Sequence, residues 1–200
     1  MNAVVKKMLL VCSFVIVTQA LASDEQKELK EHFLNKIDAI IGVVENKELS
    51  KEKRNSYIVG VLTPTFDFEL MAKLSLGKIW KKIDTKDREK FVQLYVKRME
   101  NSYSSKLDAY SNEKVEVVKI NQPKSNRISL DTNLVSTDES LDIVYKFYKP
   151  KKKKEDKDLW LIYDVEIKGV SILKADKAQF SEFLKTKSIK ELIDVLIEKQ

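Results

Sequence analysis

The feature that most constrains the fold is a change in hydrophobic spacing at Lys114. Before that residue, apolar side chains recur at three- and four-residue steps, as in Asp24–Glu45, which is typical of amphipathic helices. From Lys114 to Ile167 they alternate with polar residues, which is typical of strands with one buried face. After Gly169 the helical spacing returns. The chain therefore combines a helical first half, a sheet and a helical end.

Short polar connections separate the predicted strands and favour an antiparallel meander. The apolar face of such a sheet has to be covered, and the helices are the elements available to cover it. We therefore predict an α+β fold in which one antiparallel, twisted sheet of about four strands packs against several helices. The predicted helices are Asp24–Glu45, Phe66–Leu76, about 85–110 and two after Gly169, and the predicted strands are Val115–Ile120, Arg127–Val135, Ser140–Lys149 and Leu159–Ile167.

Several helix ends are marked by characteristic residues. Pro64 is expected to break the chain, so that Thr65 becomes the N-cap of the following helix. Gly77 is a natural C-terminal stop. Ser188 and Glu191 have the spacing of a capping box and predict the start of the last helix.

The N-terminal segment has the pattern of a secretory signal peptide. Lys6 and Lys7 precede the apolar run Met8–Val17, and Ala20–Ala22 supplies a small-x-small cleavage site. We expect cleavage after Ala22, export to the periplasm, and a single domain over residues 23–200. A retained anchor and a lipid-modified Cys12 are the alternatives, and the apolar run is too short to span a bilayer about 30 Å thick.

The composition leaves little room for catalytic chemistry. One histidine and one cysteine argue against zinc clusters, cysteine–histidine nucleophiles and disulfide scaffolds. The S-x-x-K match at Ser75–Lys78 lacks the partner motifs of a penicillin-recognising enzyme. His32 is interpreted as a surface histidine. Asp164 and Glu166 are interpreted as acidic residues on a solvent-exposed strand face rather than as a catalytic pair. We expect no enzymatic activity, no cofactor and no metal.

A lysine-rich turn is predicted between the last two long strands, at Pro150–Asp158. It is interpreted either as a solvated tip or as a docking site for an anionic membrane surface or an acidic partner. Nucleic-acid binding would require aromatic residues interleaved with the charge, and these are absent. The candidate docking residues are Lys151, Lys152, Lys153 and Lys154.

Two motif groups carry a family resemblance. The first begins at Phe66-Asp67-Phe68 and continues through Leu76-Gly77 to Trp80. The second runs from Trp160-Leu161-Ile162-Tyr163-Asp164-Val165 through Gly169-Val170-Ser171 to Gln179-Phe180. In order and spacing they resemble the MlaC family, also called the toluene-tolerance auxiliary family, over about Phe66–Leu196. The strongly basic turn and Lys187-Ser188, where the family pattern suggests a glycine-containing turn, depart from it.

The resemblance implies a monomeric periplasmic phospholipid carrier that maintains outer-membrane lipid asymmetry. It implies as partners an outer-membrane lipoprotein–porin complex and an inner-membrane ABC transporter with an MCE-domain protein. It also implies that helices and sheet enclose an apolar pocket for acyl chains, although each candidate residue equally fits ordinary core packing. The candidate pocket residues are Phe66, Met71, Leu74, Phe91, Leu94, Tyr95, Tyr103, Tyr145, Phe147, Tyr163, Val165 and Val170.

Three other functions fit the same sequence. One is a carrier of another apolar ligand, such as a hopanoid or a fatty acid. Another is a cone-shaped catalytic α+β domain, which requires a polar constellation inside its pocket. The third is a non-catalytic envelope interaction module that uses the lysine-rich turn and binds its partner in a salt-sensitive way.

Overall fold

A computed structural model describes the chain over residues 3–107, 113–136 and 140–199, with side chains described over 24–102, 113–136 and 140–199. The helical elements are α1 (Ala3–Glu45), α2 (Lys51–Thr65), α3 (Phe68–Leu76), a 3₁₀ turn (Gly77–Lys81), α4 (Thr85–Leu107), α5 (Ile172–Phe183) and α6 (Ile189–Glu198). The strands are β1 (Lys114–Lys124), β2 (Arg127–Val135), β3 (Ser140–Tyr148), β4 (Leu161–Ile167) and β5 (Val170–Ser171).

The strands form one antiparallel sheet in the order β1-β2-β3-β4-β5, which confirms the predicted α+β meander. The sheet has five strands rather than about four. The extra strand, β5, pairs with the end of β4 across the turn at Lys168 and Gly169, where φ is 48° and 77°. A two-residue strand is too short to produce an alternating pattern, so it could not be predicted from hydrophobic periodicity.

A bulge in β4 changes which side chains face the helices. Lys146 of β3 pairs with Asp164, but the next residue, Phe147, pairs with Ile162. Tyr163 is therefore the extra residue of the bulge, and the alternation predicted for Leu159–Ile167 does not hold across it. Among the described residues, Ile162 and Val165 both face the helices, whereas Tyr163 packs edge-on against Tyr148.

The expected break at Pro64 was wrong. Helix α2 continues through Pro64 to Thr65, where the Thr65 hydroxyl donates to the Val61 carbonyl at 3.1 Å. The amide of Phe66 donates to the Leu62 carbonyl at 3.0 Å, so the last turn keeps hydrogen bonds although proline supplies no donor. Asp67, not Thr65, is the N-cap of α3 and accepts from the Leu70 amide at 3.1 Å.

Other helix ends agree with the sequence to different extents. Gly77 ends α3 with a φ of 55°, and Ser188 and Glu191 form both hydrogen bonds of a capping box, as predicted. Helix α1 begins at Ala3 instead of Asp24. Within the described residues α4 ends at Leu107, and Tyr110 lies outside them. Among the helices of the described chain, none combines the length and apolar character needed to cross a membrane.

The helical part of the core is centred on aromatic contacts between α4 and α5. The rings of Phe91 and Phe180 meet edge to face with centroids 5.6 Å apart. Beside them, the buried Tyr95 hydroxyl donates to Asp176 at 2.8 Å, and Arg98 donates to the other carboxylate oxygen at 2.8 Å. These aromatic residues, which we call the helical core, are continuous with the buried residues on the sheet face but do not line the cavity between α1, α2 and the sheet.

Candidate functional site

An apolar cavity of about 410 Å³ lies between α1, α2 and the inner face of the sheet. Its volume is within the range of small-molecule sites, roughly 300–1,000 Å³. Most of its wall is aliphatic or aromatic, and the polar side chains that reach it are few. The lining residues are Phe33, Lys36, Ile37, Ile40, Ile41, Val61, Leu62, Thr65, Phe66, Glu113, Val115, Leu134, Leu141, Ile143, Tyr145, Ile162, Val165 and Ile167.

The two ends of the cavity differ in burial. At the end formed by Phe33, Thr65, Phe66 and Ile162, which we call the closed end, all four residues are buried. At the opposite end, which we call the open end, the residues are only half-buried. A cross-strand row marks the open end, because Val115 pairs with Leu134 and Leu134 pairs with Leu141. The open end is therefore the more solvent-accessible of the two.

The closed end is held together by a polar cluster centred on Lys36. Its Nζ donates to Thr65 Oγ1 at 2.8 Å and lies 2.9 Å from Asp158 Oδ2. His32 Nε2 lies 3.2 Å from the same carboxylate oxygen. Burial alone would raise the pKa of Asp158, but the hydrogen bonds from Lys36 and His32 outweigh it and hold that pKa below its usual value. The cluster joins α1 to the end of α2 and to the turn before β4.

Tyr145 is a cavity-lining residue that carries a hydroxyl group. Its ring packs against Phe33 with centroids 4.7 Å apart. Burial raises the pKa of Tyr145 to about 12, so the group is a neutral donor at physiological pH. Among the residues that the structure describes, its hydroxyl has no hydrogen-bond partner. It is therefore available to a ligand.

The sequence model of the MlaC protein family matches residues 34–198. The chain belongs to the MlaC family. It is 24% identical over 187 residues to the intermembrane phospholipid transport system binding protein MlaC of Haemophilus influenzae, covering 90% of this chain and 85% of that protein. The family assignment made from the Phe66 and Trp160 motifs is thus confirmed.

A solved structure shares the fold of this MlaC family member. It is a phospholipid-binding protein from Ralstonia solanacearum in complex with a phospholipid. The two chains superpose with a TM-score of 0.71 at 16% identity, covering 86% of this chain and 94% of the other.

Among the predicted pocket residues whose side chains the structure describes, Phe66, Tyr145 and Val165 line the cavity of this MlaC family member. Phe147 lies beneath the cavity wall, edge-on to Phe33 at 6.0 Å. The other buried candidates lie in the helical core and not in the cavity wall, because α3 and α4 pack mainly against each other and against α5 and α6. These residues are Met71, Phe91, Leu94 and Tyr95.

The remaining predicted positions lie elsewhere. Leu74 and Val170 are 37% and 61% exposed, because α3 and the edge strand β5 turn them outward. Tyr163 is directed away from the cavity by the bulge in β4. The side chain of Tyr103 lies outside the described residues.

Most of the wall contributed by α1 and α2 was not predicted as part of the pocket. Ile37, Ile40 and Ile41 of α1 were assigned to an amphipathic helix but not to the pocket. Val61 and Leu62 of α2 precede the first family motif. The signal that could have identified this wall was the apolar stripe of α1. Without the fold, that stripe cannot be distinguished from the stripe of an ordinary core-facing helix.

The lysine-rich turn is partly built into the fold. Lys154 lies 2.8 Å from the buried carboxylate of Asp67, and Lys157 donates to the backbone carbonyls of Thr63 and Phe66. Lys151, Lys152 and Lys153 are exposed, and within the described chain they make no ion pair. The turn is therefore neither a free tip nor a uniform docking surface, because Lys154 already serves a buried partner.

The catalytic candidates have structural contacts. Ser75 is buried and its hydroxyl donates to the Ala72 carbonyl at 2.8 Å. Lys146 bridges Asp164 and Glu166 at 3.1 and 2.7 Å, and Asp164 also accepts from the Leu173 amide at the start of α5. Within the ranges given above, no group of histidine, cysteine and carboxylate side chains has the arrangement of a metal site.

Proposed function

We propose that this protein is a periplasmic phospholipid carrier that holds acyl chains in the cavity between α1, α2 and the sheet. The observation that carries the proposal is the apolar wall of that cavity, about 410 Å³ in volume, closed at one end and open at the other. The name of the Haemophilus influenzae relative and the phospholipid in the Ralstonia solanacearum structure support it.

The energetics of acyl chains suggest how the carrier releases its cargo. A diacyl lipid has roughly 30 methylene groups, and at about 0.8 kcal/mol each their shelter from water amounts to on the order of 25 kcal/mol. Spontaneous release into water is therefore slow. Docking onto a membrane complex opens the cavity and offers an equally apolar path, while the lipid headgroup stays in water at the open end.

The route of the carrier follows from the same proposal. Residues 1–22 direct export and are cleaved, and residues 23–200 form the lipid-binding domain. The carrier moves as a monomer between an outer-membrane lipoprotein–porin complex and an inner-membrane ABC transporter with an MCE-domain protein, and thereby maintains outer-membrane lipid asymmetry. It performs no chemistry on the lipid. Support for that last point comes from the structural contacts of Ser75, Asp164 and Glu166.

Three lysines of the basic turn, Lys151, Lys152 and Lys153, dock the carrier onto an anionic membrane surface. All three are exposed and carry charge that is not compensated by a described ion pair. An anionic membrane surface attracts such residues by about 1 kcal/mol each at low ionic strength. Lys154 is excluded from this role, since its ammonium group is held by Asp67.

The test is mass spectrometry of the protein purified from cells without detergent. We expect a stoichiometric adduct of phospholipid mass in native spectra that disappears on denaturation, and a mature chain that begins at Ser23. An adduct with the mass of another lipid class would show that the protein carries that lipid instead of a phospholipid. A ligand-free mass with no uptake from liposomes would favour the envelope interaction module instead.

A further inference from the structure

The closed end of the cavity is more polar than a site for hydrocarbon requires. The terminal methyl group of an acyl chain gains nothing from an ammonium group or a hydroxyl, yet Lys36 and Tyr145 both line the cavity, Lys36 bonded to Thr65 and Tyr145 packed on Phe33. We propose that the closed end binds the carboxylate of a long-chain fatty acid between Lys36 and Tyr145, with the chain extending toward the open end. This inference rests on the proposed use of the cavity for acyl chains and adds a second ligand class with the opposite orientation.

Lys36 has a donor to spare. An ammonium group carries three donors, and two of them are directed at Thr65 and Asp158, at 2.8 and 2.9 Å. The side chain is only 20% exposed, so its charge is weakly screened. These two contacts also fix its position, so little conformational entropy is lost when a carboxylate approaches.

Tyr145 supplies the second donor. Tyr145 lines the cavity, its hydroxyl has no hydrogen-bond partner in the described chain, and its ring packs against Phe33. Phe33 and Lys36 are three residues apart on α1 and therefore lie on one face of that helix. The aromatic contact thus places Tyr145 next to the helical turn that carries Lys36.

The chemistry of this end favours a carboxylate over a phosphate headgroup. The surrounding side chains of Phe33, Phe66 and Ile162 are buried, so a bulky glycerol-linked headgroup would have to displace them. A fatty acid carries its charge on three compact atoms at the end of a single chain. Asp158 already forms an ion pair with Lys36, so its carboxylate competes with the ligand carboxylate for the ammonium group.

The experiment measures binding of palmitic acid and of methyl palmitate to the delipidated full mature protein at pH 7.5. Methyl palmitate has the same chain without the charge and reports apolar burial alone. Tyr145→Phe removes a single hydroxyl, and we expect it to weaken palmitic acid binding about tenfold, as for a hydrogen bond to a charged group, with methyl palmitate unchanged within about twofold. Lys36→Met is expected to have at least the same effect. Lys27→Met, on the exposed side of α1, is the matched control and leaves both ligands unchanged.

Asp158→Asn distinguishes recognition from a merely structural role. Removal of the competing carboxylate is expected to strengthen palmitic acid binding by about threefold or more, whereas loss of a structural contact would weaken it. Equal losses for palmitic acid and methyl palmitate in Tyr145→Phe, or no loss, would overturn the inference.

Uptake from phosphatidylethanolamine–phosphatidylglycerol vesicles by the unaltered protein separates this inference from the proposed function. Phospholipid uptake without palmitic acid binding overturns the inference alone. Absence of both overturns the inference and the proposed function together. Binding of both, with the variant pattern above, supports the inward-facing carboxylate.

Discussion

The ammonium nitrogen of Lys154 lies 2.8 Å from the carboxylate oxygen Oδ2 of Asp67. This ion pair joins the basic turn before β4 to the N-cap of α3. The Tyr148 hydroxyl and the Leu70 amide also donate to Asp67, which is 2% exposed. Burial opposes ionisation of Asp67, but the hydrogen bonds from Lys154, Tyr148 and Leu70 outweigh it and hold its pKa below the usual value.

We predict that Asp67→Asn lowers the free energy of unfolding by about 2 kcal/mol at pH 7, because it removes a charged helix cap with three donors. A depressed folded pKa gives stability that is present above the unfolded pKa, about 3.9, and is lost as the pH falls through the folded value. The difference between the two proteins should therefore shrink below about pH 4. Urea unfolding between pH 3 and pH 7 measures it.

Asp156→Asn is the matched control for this pH series. Asp156 is exposed and has a φ of 54°, a conformation that asparagine also accepts. Its variant should track the unaltered protein at every pH. An Asp67→Asn penalty that stayed constant from pH 7 to pH 3 would contradict the assigned ionisation.

A second prediction separates the lysines of the basic turn. Replacement of Lys151, Lys152 and Lys153 by glutamine should leave the thermal midpoint nearly unchanged, because all three are exposed. It should weaken binding to phosphatidylglycerol vesicles at low salt by up to about 3 kcal/mol in total. Lys154→Gln should instead lower the thermal midpoint, since it leaves Asp67 without its cation. Vesicle sedimentation at two salt concentrations and thermal melts measure both effects, and unchanged vesicle binding by the triple variant would remove the docking role.

A third prediction concerns the cavity. Val165→Trp and Ile143→Trp extend large side chains from the sheet into the cavity and should reduce phospholipid occupancy at least about tenfold. Val118→Trp is the control, because Val118 is 64% exposed on β1. Leu94 was also a predicted pocket residue, but Leu94→Trp would overpack the helical core instead of filling the cavity. Native mass spectrometry measures occupancy, and circular dichroism checks the fold. Full occupancy in both cavity variants would refute the assigned site.

A fourth prediction tests the buried polar pair in the helical core. Tyr95→Phe removes the hydrogen bond to Asp176 and leaves that carboxylate with Arg98 as its remaining side-chain donor. The free energy of unfolding should fall by about 1–2 kcal/mol with no change in lipid occupancy. Tyr57→Phe, at an exposed position, should have no effect on either. A loss of lipid occupancy in Tyr95→Phe would show that the helical core and the cavity are coupled.

The elements that the sequence predicted well are those with a strong local signal. Arg127–Val135 is a strand with the bounds expected from its alternation, and Ser188 caps α6 through a side chain three residues from its partner. Pro64 shows the limit of such rules, because one missing donor near the end of α2 was tolerated where neighbouring hydrogen bonds remained. The fold class followed from the periods of 3.6 and 2, which depend on local geometry.

The sequence by itself determined the α+β class, the family and the bounds of β2, because helix and strand periodicity and short motifs are local properties. Only the tertiary structure decided which apolar residues enclose empty space and which pack solid. Phe66 and Met71 lie five residues apart in the same motif group, yet Phe66 lines the cavity and Met71 packs in the helical core. The bulge at Tyr163 and the pairing of Lys36 with Asp158 depend on contacts between distant segments. A hydrophobic pattern also does not distinguish cavity wall from packed core, because burial against protein and burial against a ligand favour the same apolar side chains.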